Sequence, residues 1–284
     1  MAYTTLISSA VLAGNLNNSD WAIFDCRFSL ADSDAGGKAY RQGHIPGARY
    51  AHLNKDLSSP VKSYTGRHPL PDFSSLAKQL GLWGVGNRTQ VVVYDDAGGA
   101  FAGRMWWLLR SMGHQQVAVL DGGIRHWQKL GLPLTTTLPK PTGNQFRSYL
   151  DDSRWLSAQQ VEDGLAARRI TLIDARTPER FKGQLEPIDP VAGHVPKALN
   201  RPFQLNLDRS GLFLPAGQLR EQFIQLTNPA PAEQVVHMCG SGVTACHNLL
   251  AMEFAGLSGS RLYAGSWSEW IVNRNRAVGA TDSN

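Results

Sequence analysis

Apolar, β-branched clusters punctuate the chain, and the residues that close them follow a pattern. Trp21-Ala22-Ile23-Phe24 runs into Asp25-Cys26-Arg27, and Ile170-Thr171-Leu172-Ile173 runs into Asp174-Ala175-Arg176. Val92-Val93 and Val235-Val236 lead instead into loops rich in glycine. Short apolar runs bounded by turn residues predict strands buried on both faces. After the second of those loops, Thr244 to Glu253 (Thr-Ala-Cys-His-Asn-Leu-Leu-Ala-Met-Glu) predicts a helix. Strands alternating with helices predict an α/β fold built on mainly parallel sheets with helices on both faces.

The same unit is written twice. Asp25 and Asp174 lie 149 positions apart, and His44 and His194, each in a Gly-His-x-Pro turn, lie 150 apart. The second half of the unit aligns without a gap: Val92, Gly99, Ala102, Gly113, Gly122 and Trp127 each find the same residue type 143 positions later. A constant offset over that span predicts a tandem duplication, two domains rather than a solenoid. The N-terminal domain is expected over residues 1–134, a linker over 135–152 and the C-terminal domain over 153–284. Pro139, Pro141 and Gly143 break periodicity in that linker.

Composition narrows the class. The chain has 284 residues, 42% hydrophobic and 18% charged, which suits soluble domains with sizeable cores. The formal net charge of +5 is dispersed; Arg168-Arg169 is the one adjacent basic pair, which argues against a nucleic-acid partner and suits a small anion. Residues 6–13 are too short and polar to span a bilayer and follow no basic residue, so neither membrane nor signal peptide is expected. Three cysteines (Cys26, Cys239, Cys246) cannot form a disulfide framework and contain no CxxC pair for zinc. No metal is expected, and a reducing, cytoplasmic location follows.

Candidate chemistry centres on His237-Met238-Cys239-Gly240-Ser241-Gly242-Val243-Thr244. A cysteine leaving a buried strand, just before a helix N-terminus, meets converging N–H groups and a positive dipole end. That setting favours a thiolate, and two glycines let the backbone close around the sulfur. Cys239 is therefore the expected nucleophile, against a buried structural cysteine as the plain alternative. Cys246 and Cys26 read as core. His237 shares the strand face of Cys239 and is either a base or a packed side chain. Ser241 is either a hydrogen-bond donor to substrate or a small turn residue. By the 143-residue offset Cys239 corresponds to Asp96, so only the C-terminal copy is expected to be catalytic. The arginine that a phosphatase-type loop needs is replaced by Ala245, and no Gly-x-Gly-x-x-Gly pattern supports a nucleotide. Arg67-His68 could line a cleft, with an exposed polar loop as the default reading.

The paired Asp-x-Arg and Gly-His-x-Pro units, the Cys-Gly-Ser-Gly-Val-Thr loop and the closing Ala264-Gly265-Ser266-Trp267-Ser268-Glu269-Trp270 resemble the two-domain rhodanese family of sulfurtransferases over essentially the whole chain. The loop is similar to that of family members using 3-mercaptopyruvate, since Gly240 to Thr244 carry no charge, whereas thiosulfate-preferring members typically carry basic residues there. The resemblance implies a small anionic sulfur donor, a Cys239 persulfide held by the N–H groups of Gly240, Ser241, Gly242, Val243 and Thr244, and release of pyruvate. A thiophilic acceptor (cyanide, or a thiol such as thioredoxin) then takes the sulfur, with no cofactor. Thiosulfate:cyanide transfer through the same cysteine is the alternative, as is a non-catalytic sulfur carrier. The resemblance also makes Arg180 the donor-binding arginine, although it could equally pair with Glu179 or Glu186. A second arginine found in some members is absent from Glu186 to Ala192. A family Ser-His-Asp relay maps to Ser241, His44 and Asp34, while the recurrence of the turn histidine as His194 favours a structural role for His44.

Overall fold

The computed structural model describes residues 2–140 and 143–280. Strands β1 (Leu6–Ile7), β2 (Trp21–Asp25), β3 (Ala48–Tyr50), β4 (Gln90–Tyr94) and β5 (Val117–Leu120) form a sheet ordered β1-β5-β4-β2-β3. The second sheet repeats it: β6 (Trp155–Leu156), β7 (Thr171–Asp174), β8 (Leu199–Asn200), β9 (Val235–Met238) and β10 (Arg261–Tyr263) are ordered β6-β10-β9-β7-β8. Every pairing in both is parallel. Among the described residues ten α-helices flank the strands, including α2 (Ala35–Gln42), α4 (Ala102–Ser111) and α5 (Gly123–Lys129) in the first unit. In the second, α7 (Pro178–Phe181), α9 (Ala245–Phe254) and α10 (Ser266–Trp270) matter most below.

Alternation along the strands explains why they read as continuous apolar runs. On β4, Val92 and Tyr94 join Ile7, Ile23, Leu120 and Trp127 in one core cluster, while Val91 and Val93 are fully buried on the other face. On β9, Val236 and Met238 pack with Leu172, Tyr263 and Trp267, and Val235 and His237 fill the opposite face. Each large apolar side chain so removed from water contributes about 1.5–3 kcal/mol.

The recurrent Asp-x-Arg and Gly-His-x-Pro motifs are one structural device. Buried Arg27 grips Asp25 through Nε (2.9 Å) and donates from Nη2 to the Gly43 carbonyl at 2.8 Å. Arg176 does the same with Asp174 (Nε, 2.9 Å) and the Gly193 carbonyl (2.8 Å). The turn histidines are locked alike. His44 stacks on Tyr40 and its Nδ1 bonds the Tyr40 carbonyl; His194 stacks on Phe181 and bonds the Phe181 carbonyl, each at 2.8 Å.

Contacts divide the chain into two compact units, and the division is not a single cut. Residues 2–59, 70–151 and 209–213 belong to the first unit; 60–69, 152–208 and 214–280 belong to the second. Much of the stretch 135–152, expected as a linker, is packed on the first unit. Thr135 pairs with His44, Asn144 N–H reaches the Gly81 carbonyl, and Tyr149 and Asp151 bond the carbonyls of Met112 and Ser111. Pro141 lies outside the described residues.

Candidate active site

β9 ends at Met238 and delivers Cys239, 2% exposed, to the carboxyl edge of its sheet. Open parallel sheets place their ligands at this edge. The backbone of Cys239 is clamped on both sides by the turn after β10. Its N–H donates to Ser266 Oγ (3.1 Å), and its carbonyl accepts from Trp267 N–H (3.1 Å). Ser266 is fully buried at φ +55°, a left-handed conformation unusual for serine, and its hydroxyl also donates to the Tyr263 carbonyl at 2.8 Å. The loop then folds tightly through Gly242, at φ +75°, where an added Cβ would lie 2.2 Å from the Ala264 carbonyl oxygen. Only glycine fits there.

The same clamp in the first unit fixes which residue stands where the cysteine does. Cys26 N–H bonds the Tyr94 carbonyl as Ala175 N–H bonds that of Met238, and Ile124 N–H bonds the Asp95 carbonyl as Trp267 N–H bonds that of Cys239. Asp95, not Asp96, is thus the counterpart of Cys239. The 143-residue offset, which holds for β10, slips by one on β9 because the first-unit loop is one residue longer. Fully buried Asp95 turns its carboxylate into its own loop, accepting N–H groups of Ala97, Gly99, Phe101 and Ala102, each at 2.8 Å. That nest of N–H groups is filled from within. In the second unit Gly240 to Thr244 form the corresponding loop, and among the described residues no protein acceptor takes the N–H of Ser241, Val243 or Thr244.

Ser241, 6% exposed, hydrogen-bonds His68 Nδ1 at 2.7 Å. The histidine brought to the serine is therefore His68, not His44, both of whose ring nitrogens are held by backbone carbonyls (Tyr40 and Thr137) within its own unit. Asp34 is an exposed residue at the start of α2 whose side chain makes no capping bond. The relay expectation thus fails on two of three residues. Nor is Arg67-His68 an exposed loop. The 60–69 segment packs within the second unit, His68 is 5% exposed, and Arg67 N–H donates to Ser268 Oγ. The local signal is Gly66-Arg67-His68-Pro69-Leu70-Pro71, a proline-stiffened loop carrying an arginine and a histidine side by side.

Two guanidiniums face the loop. Arg180, from α7, is held by Glu186 through Nε (3.1 Å) and Nη2 (2.7 Å), and its Nη2 also meets Asp189 at 3.1 Å. The pairing with Glu186 is thus real, and Glu179 is not the partner. Arg67 Nη1 pairs with the other oxygen of Asp189. Built on Gly240, a Cβ would lie 2.8 Å from Arg67 Nη2 and 3.6 Å from Arg180 Nη1. Burial lowers the Arg67 guanidinium from its ordinary value, Cys239 raises it, and Arg180 lowers it further. Behind them Arg176 lies 4.8 Å from the Trp267 ring centroid and reaches Glu186 at 3.4 Å.

The other candidates are structural. Fully buried His237 lies 3.1 Å from Met252 Sδ, and burial, with Arg201 adding to it, lowers its pKa to about 3. A histidine held neutral in the core is no base for Cys239. Cys246 points its Sγ at the Gly242 carbonyl (3.4 Å), and burial beside Asp25 pushes the Cys26 thiol well up. Among the described residues no cluster of three or more His, Cys, Asp or Glu side chains is arranged to hold a metal.

The rhodanese-like domain family model matches residues 8–130 and 157–273. A probable 3-mercaptopyruvate sulfurtransferase of Pseudomonas aeruginosa is 46% identical over 284 residues, covering 99% of this chain and all of the relative. A putative thiosulfate sulfurtransferase of Mycobacterium tuberculosis is 38% identical over 280 residues, 96% of each. Among solved structures, a 3-mercaptopyruvate sulfotransferase from Escherichia coli superposes with a TM-score of 0.81 at 28% identity, covering 94% of this chain and all of that one.

Proposed function

The chain belongs to the rhodanese family, and from that premise we propose that it moves sulfur from 3-mercaptopyruvate to a thiophilic acceptor through a Cys239 persulfide. The observation that carries this reading is the loop itself: a cysteine clamped by Ser266 and Trp267, followed by a loop in which the N–H groups of Ser241, Val243 and Thr244 meet no protein acceptor among the described residues, under two guanidiniums. The first unit, with Asp95 filling the matching loop, serves as a non-catalytic scaffold.

In the first half-reaction the Cys239 thiolate attacks the donor's sulfur. An S–S bond forms, the C–S bond breaks, and its electron pair passes to the three-carbon fragment as the enolate of pyruvate. The proton carried by the donor's thiol is needed at that methylene carbon. Ser241, hydrogen-bonded to His68, is the relay beside the reacting sulfur. The persulfide anion that remains is held by loop N–H groups, preorganised donors that cost no reorganisation when charge arrives. In the second half-reaction cyanide or a thiol attacks the outer sulfur, and the electron pair of the S–S bond returns to Cys239. Thioredoxin fits as a dithiol acceptor, and a reducing compartment such as the cytoplasm fits three cysteines that form no disulfide. Among the described residues no helix is long and apolar enough to cross a membrane.

Charge favours the mercaptopyruvate carboxylate over thiosulfate. Arg67 and Arg180 are already offset by Asp189 and Glu186, and Gly240 to Thr244 add no cation, so the site suits a monoanionic end better than a dianion. The test is steady-state kinetics with both donors on wild type and on Cys239→Ser. A far higher kcat/KM for 3-mercaptopyruvate, abolished in the variant, supports the assignment. Preference for thiosulfate overturns the donor, activity surviving in Cys239→Ser overturns the mechanism, and no turnover of either donor would leave a sulfur carrier.

A further inference from the structure

Beyond sulfur transfer, we propose that the second unit binds a small phosphate-bearing anion in a cleft at the edge of its sheet opposite Cys239. Ile170 and Gln234 stand immediately before β7 and β9, and Arg261 opens β10, so the cleft lies at the amino edge. Its volume is about 570 Å³, within the range of small-molecule sites. Three guanidiniums line it, those of Arg168, Arg169 and Arg261, against one carboxylate, that of Asp163. The surplus of two positive charges complements a phosphate dianion, and planar guanidinium forks match phosphate oxygens. Ile170 adds an apolar wall, and a second cleft of about 470 Å³ continues past it and Arg168.

Among the described residues none of the three guanidiniums meets a protein acceptor. The buried Nε of Arg261 is left without a hydrogen bond, which is unfavourable unless a ligand supplies the acceptor. Arg168 follows α6 (Ala158–Ala166) at φ +55°, its N–H bonded to the Leu165 carbonyl and that of Arg169 to the Gly164 carbonyl. Glycine is the usual residue in such a closing turn, and α4, α5 and α9 do close on Gly113, Gly131 and Gly256 at positive φ. At α6 an arginine holds the strained position instead and lines the cleft. The dipole of the helix C-terminus attracts cations, which accounts for Arg168 and Arg169 but not for Arg261 on its strand. The first unit is an internal control. It has Ser19-Asp20 where the second has Arg168-Arg169, and its Ala118 pairs with Val92 as Arg261 pairs with Val236. The fold therefore needs an arginine at none of the three places.

The experiment is calorimetric titration of the full chain, Cys239 blocked with iodoacetamide, with inorganic pyrophosphate and with ADP. Both are expected to bind. Arg261→Gln and Arg168→Gly should each weaken binding about tenfold, and Asp163→Asn, which removes the opposing charge, should tighten it. Arg180→Gln, altered at the cysteine loop, should bind as wild type does. Glycine relieves the positive φ, so Arg168→Gly should unfold at a temperature no lower than wild type, and its weaker binding is then no loss of fold. ADP held more tightly than pyrophosphate assigns an organic phosphate whose body lies along Ile170, and equal affinity assigns an inorganic one. No binding to wild type, binding unaltered in both Arg261→Gln and Arg168→Gly, or binding lost in Arg180→Gln instead, overturns the proposal. None of these results depends on which donor Cys239 uses.

Discussion

Ser266 offers the sharpest test of how the nucleophile is held, because two opposing contributions meet in one side chain. At φ +55° the residue should cost roughly 1–2 kcal/mol relative to glycine, and Gly123 takes the equivalent place in the first unit at φ +56°. Against that, the Ser266 hydroxyl satisfies the buried Cys239 N–H at 3.1 Å and donates to the Tyr263 carbonyl at 2.8 Å. Ser266→Ala keeps the strain and orphans the N–H, an expected loss of about 1–3 kcal/mol. Ser266→Gly orphans the same N–H but relieves the strain, so it should be the more stable variant by about 1 kcal/mol. Both release one side of the clamp on Cys239. A displacement of the sulfur by about 1 Å can cost on the order of 100-fold in rate, so kcat/KM should fall in both variants despite their unequal stabilities. Urea unfolding gives the stability order, and sulfur transfer gives the rates. If Ser266→Gly proves no more stable than Ser266→Ala, the strain argument is wrong. If both retain full kcat/KM, the clamp does not position the nucleophile.

Gly242→Ala places a Cβ 2.2 Å from a backbone oxygen at a positive φ, so the loop must open. Near-complete loss of sulfur transfer is expected with the first unit's unfolding unaffected, read by kinetics and by thermal unfolding. Asp95→Asn leaves one side-chain oxygen to serve four N–H donors and should destabilise the first unit by roughly 2–4 kcal/mol, with chemistry at Cys239 intrinsically unchanged; denaturant titration and single-turnover persulfide formation separate the two. His237, with its pKa lowered to about 3, is neutral when folded and binds a proton more readily when unfolded. Its contribution to stability is therefore fully present above about pH 6.5 and is lost as pH falls toward 3. His237→Leu should flatten that acid limb of the stability profile, and an imidazole that titrates near pH 6.5 in the native protein would refute the assignment.

The sequence by itself determined the features that depend on neighbours along the chain. The strand cores, the repeated Asp-x-Arg and Gly-His-x-Pro device, and the cysteine loop before α9 are local in this sense. Periodicity, turn residues and the duplication expose them directly, and the glycine-rich loop does follow a buried strand with Cys239 at its exit, whereas Arg180 was legible only through the family resemblance. What only the tertiary structure decided are pairings between distant positions. His68 meets Ser241 across 173 residues, and Arg67 meets Asp189 across 122, because the 60–69 segment leaves one compact unit and packs in the other. No local preference encodes that placement, and the family relay maps onto His44 instead, a turn histidine committed to the Tyr40 carbonyl. The counterpart of the cysteine moved from Asp96 to Asp95 for a similar reason. Matching residue types cannot reveal where a one-residue insertion in a loop falls, whereas the register of backbone hydrogen bonds across a parallel sheet fixes it.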